Sequence, residues 1–144
     1  MSTVPLDNFN WIQERVKCSA SKLFELLRQQ VSQDVKCRNK LIPPLFEGEQ
    51  PPRHTHGFSM TETGDSFTVS LDSNQVHKKV TFVRGDRTIE IKGTDGTGMF
   101  QAVPSLNAIG ECVMVINKQE YPIWYLRKMA LESLFFDHYS PLML

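Results

Sequence analysis

The sequence predicts an α+β domain in which an antiparallel meander of about five to six strands packs against an N-terminal helix and a long C-terminal helix. Three observations predict it. From Phe58 to Ile116 short runs of alternating apolar and polar residues are separated by tight-turn residues. Apolar side chains recur at helical spacing both before and after that run. The connections between strand candidates are too short for crossovers, so consecutive strands should be antiparallel neighbours.

Residues 1–9 carry Pro5, Asp7 and Asn8 and read as an irregular lead-in. Residues 11–18 alternate, with Ile12, Glu14, Val16 and Cys18 opposite Trp11, Gln13, Arg15 and Lys17, which fits a short strand; the beginning of a helix fits equally. Ser19 and Ser21 then offer N-cap hydroxyls to a helix with Ala20, Leu23, Phe24, Leu27 and Val31 on one stripe, running to about Lys36 or Asn39. Leu26 and Val35 widen that stripe, and Lys22, Glu25, Arg28, Gln29 and Gln33 form its polar face. Pro43, Pro44, Gly48, Pro51 and Pro52 make residues 41–53 a loop, because proline lacks an amide donor and restrains the residue before it. Leu45 and Phe46 are expected to tuck that loop onto the body.

In the meander, Phe58 and Met60 share a face, and after a turn at Gly64 and Asp65 so do Phe67, Val69 and Leu71. Asp72, Ser73 and Asn74 signal the next turn, before Val76, Val80 and Phe82; Gly85 and Asp86 lead into Ile89 and Ile91. Thr94 to Gly98 interrupts the pattern, then Met99 to Val103 and Glu111 to Ile116 supply further strands. Phe67, Val69, Leu71, Val80, Phe82, Ile89 and Ile91 should face one buried side. The last helix begins at Pro122, with Glu120 near its positive end, and runs to about Asp137. Ile123, Leu126, Ala130 and Leu134 form one stripe; Trp124, Leu131 and Phe135 form an adjacent one, which is more apolar surface than a half-exposed helix needs.

Length and composition point to one domain over residues 1–144, large enough to bury roughly two-thirds of its unfolded surface. Hydrophobic residues make up 40% and charged residues 22%, which sets the chain apart from disordered sequences. Lys plus Arg equals Asp plus Glu at 16 each, so no overall field favours nucleic acid or an anionic membrane. Three cysteines without a repeating spacing, Cys18, Cys37 and Cys112, argue for reduced thiols rather than a disulfide framework. The first residues do not form a secretory signal, and no apolar run approaches the roughly 20 residues that span a bilayer. A cytoplasmic protein with no membrane insertion is expected.

Several motifs have ordinary readings that outweigh the chemical ones. His54 and His56 would project to one side of an extended backbone and could ligate a metal, but a third ligand would have to come from Cys37, His77 or His138, and no spacing ties these to the pair. Arg84, Gly85 and Asp86 spell an adhesive tripeptide, yet the same residues suit a hairpin tip. Gly93, Gly96 and Gly98 lack the lysine and hydroxyl residue of a phosphate-binding loop, and read as a connection or a lid. Cys112 in an apolar strand reads as a small buried hydrophobe without an activating histidine. His77, Lys78, Lys79, Arg84, Arg87 and Lys92, within residues 77–92, could form a basic patch; without interleaved aromatics a solvated face is the better reading.

The order possible strand, helix, proline-rich loop, antiparallel meander and long C-terminal helix resembles the helix-grip architecture of START and Bet v1 proteins. That resemblance implies a curved sheet wrapped around the C-terminal helix and an apolar cavity. It rests on the order of elements; no motif of those families stands in the sequence, and the proline-rich loop occupies the place of a second short helix. The function expected is a non-enzymatic binding protein, without a cofactor, that holds an apolar small molecule or peptide between the sheet and the C-terminal helix. Its candidate binding residues are Trp124, Tyr125, Met129, Leu131 and Phe135, with Phe82 on the sheet. The alternative is an adaptor or homodimer using the apolar face of that helix; a small metal-dependent enzyme built on His54 and His56 is the third reading.

Overall fold

The computed structural model describes residues 8–41, 57–72 and 77–137. Its first element settles the alternatives left open for residues 11–18. Asn10 accepts a hydrogen bond from the Gln13 amide through its side chain, and this N-cap starts helix α1 (Trp11–Lys17). The amide of Cys18 donates to the Glu14 carbonyl and Arg15 donates to the Cys18 carbonyl, which closes the helix. Ser19 then accepts from the Lys22 amide, the cap expected from the sequence, and α2 (Ala20–Leu41) follows. It runs slightly beyond the expected end because its last turn is held: Asn39 donates to the Phe58 carbonyl and accepts from the Phe58 amide. Val35 is buried as expected, whereas Leu26 is 38% exposed.

The strands β1 (Gly57–Thr63), β2 (Ser66–Asp72), β3 (His77–Arg84), β4 (Ile89–Lys92), β5 (Gly98–Leu106), β6 (Cys112–Ile116) and β7 (Gln119–Tyr121) form one antiparallel sheet in sequential order. The sheet is open, with β1 and β7 at its edges. Register places Phe67 opposite Phe82, Phe82 opposite Ile91 and Ile91 opposite Phe100. The seven inward residues expected from alternation are all buried, none more than 5% exposed. On the other face Thr68 and Thr81 bring their hydroxyls within 3.0 Å beside Ser66 and Ser70, whereas Val103 on the fifth strand leaves an apolar side chain 41% exposed there.

Strand β5 extends past the expected Val103 through Pro104 to Leu106. Pairing with β4 reaches only to Ala102, so Pro104 meets no ladder partner on that side that its missing amide would leave unpaired. Strand β7 exceeds the expected number of strands, since its three residues, Gln-Glu-Tyr, carry no alternation. It is made by a hairpin in which Asn117 and Lys118 both take the left-handed conformation, with φ of 52° and 68°. Asparagine tolerates that region, whereas lysine adopts it at a steric cost. Lys118→Gly is therefore expected to raise stability by roughly 0.5 to 1 kcal/mol, the relief of left-handed strain less the added chain entropy of glycine. A urea midpoint that stays put or falls would contradict this.

Helix α3 (Ile123–Phe136) starts one residue later than expected. Pro122 is its N-cap, extended at ψ 157°, and accepts from the Tyr125 amide; Glu120 is engaged in the β7 ladder, so no acidic side chain stands in the first turn. Helices α2 and α3 lie side by side on the inner face of the sheet. Phe24, Leu27 and Val31 from α2 meet Leu126, Ala130 and Leu134 from α3 in one core with Phe67, Phe82, Ile91 and Met114. Burial of these apolar side chains holds the two layers together.

The expectation of reduced thiols is corrected. Cys18, at the joint of α1 and α2, is bonded to Cys112 at the start of β6, with their Cα atoms 5.5 Å apart. Cys112 is thus a cross-link rather than a small buried hydrophobe. The partners are 94 residues apart in the sequence and are brought together only by the packing of the helices on the sheet, so their spacing could not announce the bond. The odd cysteine, Cys37, is free and exposed.

Candidate functional site

The surplus apolar surface of α3 goes in two directions. Leu126, Ala130 and Leu134 enter the core between helix and sheet, while a second stripe turns toward α2. Between the helices a half-open groove of about 430 Å³ is lined from α2 by Asp34, Cys37 and Arg38. From α3 come Trp124, Arg127, Lys128, Leu131, Glu132, Phe135 and Phe136. These positions recur every three or four residues on each helix, the spacing that puts them on one face. Leu131 and Phe135 are buried and supply an apolar floor; Trp124, 55% exposed, and Phe136 stand at its sides.

Of the residues singled out in the sequence, Trp124, Leu131 and Phe135 therefore meet at one site. Tyr125 lies beside it, stacked on Tyr121 at 5.3 Å with nearly parallel rings, and holds the edge of Trp124 at 5.4 Å. Met129 is half-buried against the core. Phe82 is fully buried beneath the helices, stacked on Phe67 at 4.6 Å, and does not line the groove. His54 and His56 lie outside the described residues.

The charged lining was not visible from the apolar stripes. Arg127 donates through one nitrogen, Nη1, to both carboxylate oxygens of Asp34 at 3.0 Å and so ties α3 to α2. Partial burial pushes the Asp34 carboxyl above its ordinary range, and the neighbouring Arg127 charge opposes that rise. At the outer edge Lys128 pairs with Glu132 at 2.9 Å, a hydrogen bond that raises the lysine above its ordinary value. Arg38 is buried to within 5%. Its Nε donates to the Phe135 carbonyl at 3.0 Å, and its guanidinium lies about 5 Å from the rings of both Phe58 and Phe136. The spacing of Asp34, Cys37 and Arg38 on α2 is the one sequence signal that could have found this side, but their polarity resembles an exposed helix face.

The other motifs resolve into structure. Arg84 is paired with Asp65, and the Gly85 amide donates to the Thr88 carbonyl, so the tripeptide forms part of the β3–β4 connection. The glycine-rich segment is a hydrogen-bonded hairpin loop: the Gly93 amide donates to Thr97, Gly96 has φ of 82°, and Asp95 accepts from the Thr97 amide, which holds its carboxyl below the usual range. Lys92 pairs with Glu90 on its own strand, so the basic residues of the meander do not make a uniformly cationic face. Among the described residues no three His, Cys, Asp or Glu side chains converge as a metal site. The groove offers an apolar floor, aromatic walls and paired charges. Comparison with protein-family models, curated proteins and solved structures yields no match to the chain.

Proposed function

We propose that the chain is a non-enzymatic binding protein that holds an apolar small molecule, or the apolar side of a short peptide, in the groove between α2 and α3. The observation that carries this reading is the groove itself: an apolar floor of Leu131 and Phe135 under an exposed Trp124, with about 430 Å³ of space. That volume falls within the roughly 300 to 1,000 Å³ usual for ligand sites. The sheet side of α3 is a poorer place for a ligand, since Phe82, Leu126 and Met114 already fill it.

Titration with phenylnaphthylamine, a neutral fluorescent probe, tests the reading. Saturable one-to-one binding to a monomer is expected, weakened about fivefold to thirtyfold by Trp124→Ala, the 1 to 2 kcal/mol that an aromatic anchor commonly contributes. A second reading, a homodimer or protein partner on the same face, is favoured by the exposure of Trp124 and Phe136. It predicts a dimer by light scattering that Trp124→Ala dissociates. A monomer that binds no probe would refute both.

The disulfide also bears on the compartment. Such bonds persist in oxidising surroundings and are rare in the cytoplasm, so Cys18–Cys112 supports an oxidising compartment over the cytoplasmic one expected from the sequence. No helix among the described residues is long and apolar enough to cross a membrane.

A further inference from the structure

Among the described residues that line it, the groove carries an excess of positive charge: Arg38, Arg127 and Lys128 against Asp34 and Glu132, three cations to two carboxylates. Two of those cations have capacity to spare. Arg127 binds Asp34 through Nη1 alone, and its side chain keeps 22% of its surface exposed. Lys128 is held by Glu132 in a solvent-exposed pair within one helix, an interaction worth little, so exchanging that partner for another carboxylate costs little. Arg38 is already committed to the Phe135 carbonyl and the flanking rings.

Cations with unused donor capacity beside an apolar floor suit a ligand with one anionic end and one apolar end. Resting on the binding function argued above, we infer that the groove takes a single-chain amphiphile with a carboxylate head, its chain along Leu131, Phe135 and Trp124 and its head at Arg127 and Lys128. A neutral ligand would gain nothing from these cations, and a cationic one would add to the positive excess.

Calorimetric titration of the full chain with decanoate, decanol and decylammonium separates head from chain. Decanoate is expected to bind about fivefold more tightly than decanol, the upper end for a solvent-exposed charge pair, and decylammonium most weakly. Lengthening octanoate to decanoate should tighten binding by roughly twofold to fourfold per methylene as the chain is buried. Lys128→Gln should remove most of the carboxylate's advantage over decanol; Glu132→Gln, which releases Lys128 from its competitor, should increase it. Both side chains are exposed, so folding is spared. Equal affinity for decanoate and decanol, or tighter binding of decylammonium, would overturn the choice of head while the groove remains a binding site. Failure of all three to bind would overturn the groove function as well.

Discussion

Phe82→Ala is expected to lower stability by about 3 to 5 kcal/mol, the usual cost of removing a fully buried phenylalanine and leaving a cavity. Phe82 is 0% exposed, lies opposite Phe67 on β2 and Ile91 on β4, and stacks on the Phe67 ring with an interplanar angle of 15°. Phe67 in turn packs against Phe24 of α2 at 5.0 Å, so the deleted ring supports both the sheet and the helix above it. The surroundings are branched and aromatic side chains fixed by the ladder, and they can close only part of the void. Against a typical total of about 5 to 15 kcal/mol, such a loss would place the variant near the threshold of folding. Urea unfolding, with an unchanged slope, is the measurement. A loss below about 1 kcal/mol would mean that Phe82 is not in the core or that the register is wrong.

Loss of the disulfide should cost nearly as much. Replacing Cys18 and Cys112 together by Ala is expected to destabilise by about 3 to 5 kcal/mol, because the bond closes a loop with 94 residues of separation and long loops restrict the unfolded chain most. The same cross-link anchors α1, which buries none of its own residues, through the joint that follows it. Cys37 stays in place, so the variant retains the one exposed thiol. Reductant should lower the midpoint of the parent protein toward that of the double variant and leave the variant unaffected. A parent whose stability is the same with and without reductant would contradict the cross-link.

What the sequence discloses here depends on whether the information is periodic or tertiary. Period-two alternation in β2, β3 and β4 gave every inward residue from Phe67 to Ile91, because a buried sheet face fixes register strongly. Ser19 as a cap was legible for the same local reason. Strand β7 was not, since Gln119 to Tyr121 acquire their pairing from a left-handed turn whose residues, Asn117 and Lys118, include no glycine. The site was half legible. Trp124, Leu131 and Phe135 stood out as more apolar surface than one packing face requires, but the Asp34–Arg127 pair joins residues 93 apart and depends on how two helices lie together. Phe82 looked like a candidate for the same apolar reasons and is core, because apolarity does not distinguish a floor from an interior.

The claim that the α2–α3 groove is the binding site is tested most directly by Trp124 itself. The chain has two tryptophans, so Trp11→Phe, at an exposed position, leaves Trp124 as the sole reporter. Titrating that variant with phenylnaphthylamine should quench Trp124 emission by energy transfer, saturating at one probe per chain with the same affinity as the probe's own fluorescence reports. Probe binding that leaves the Trp124 emission unchanged would place the ligand elsewhere and contradict the account.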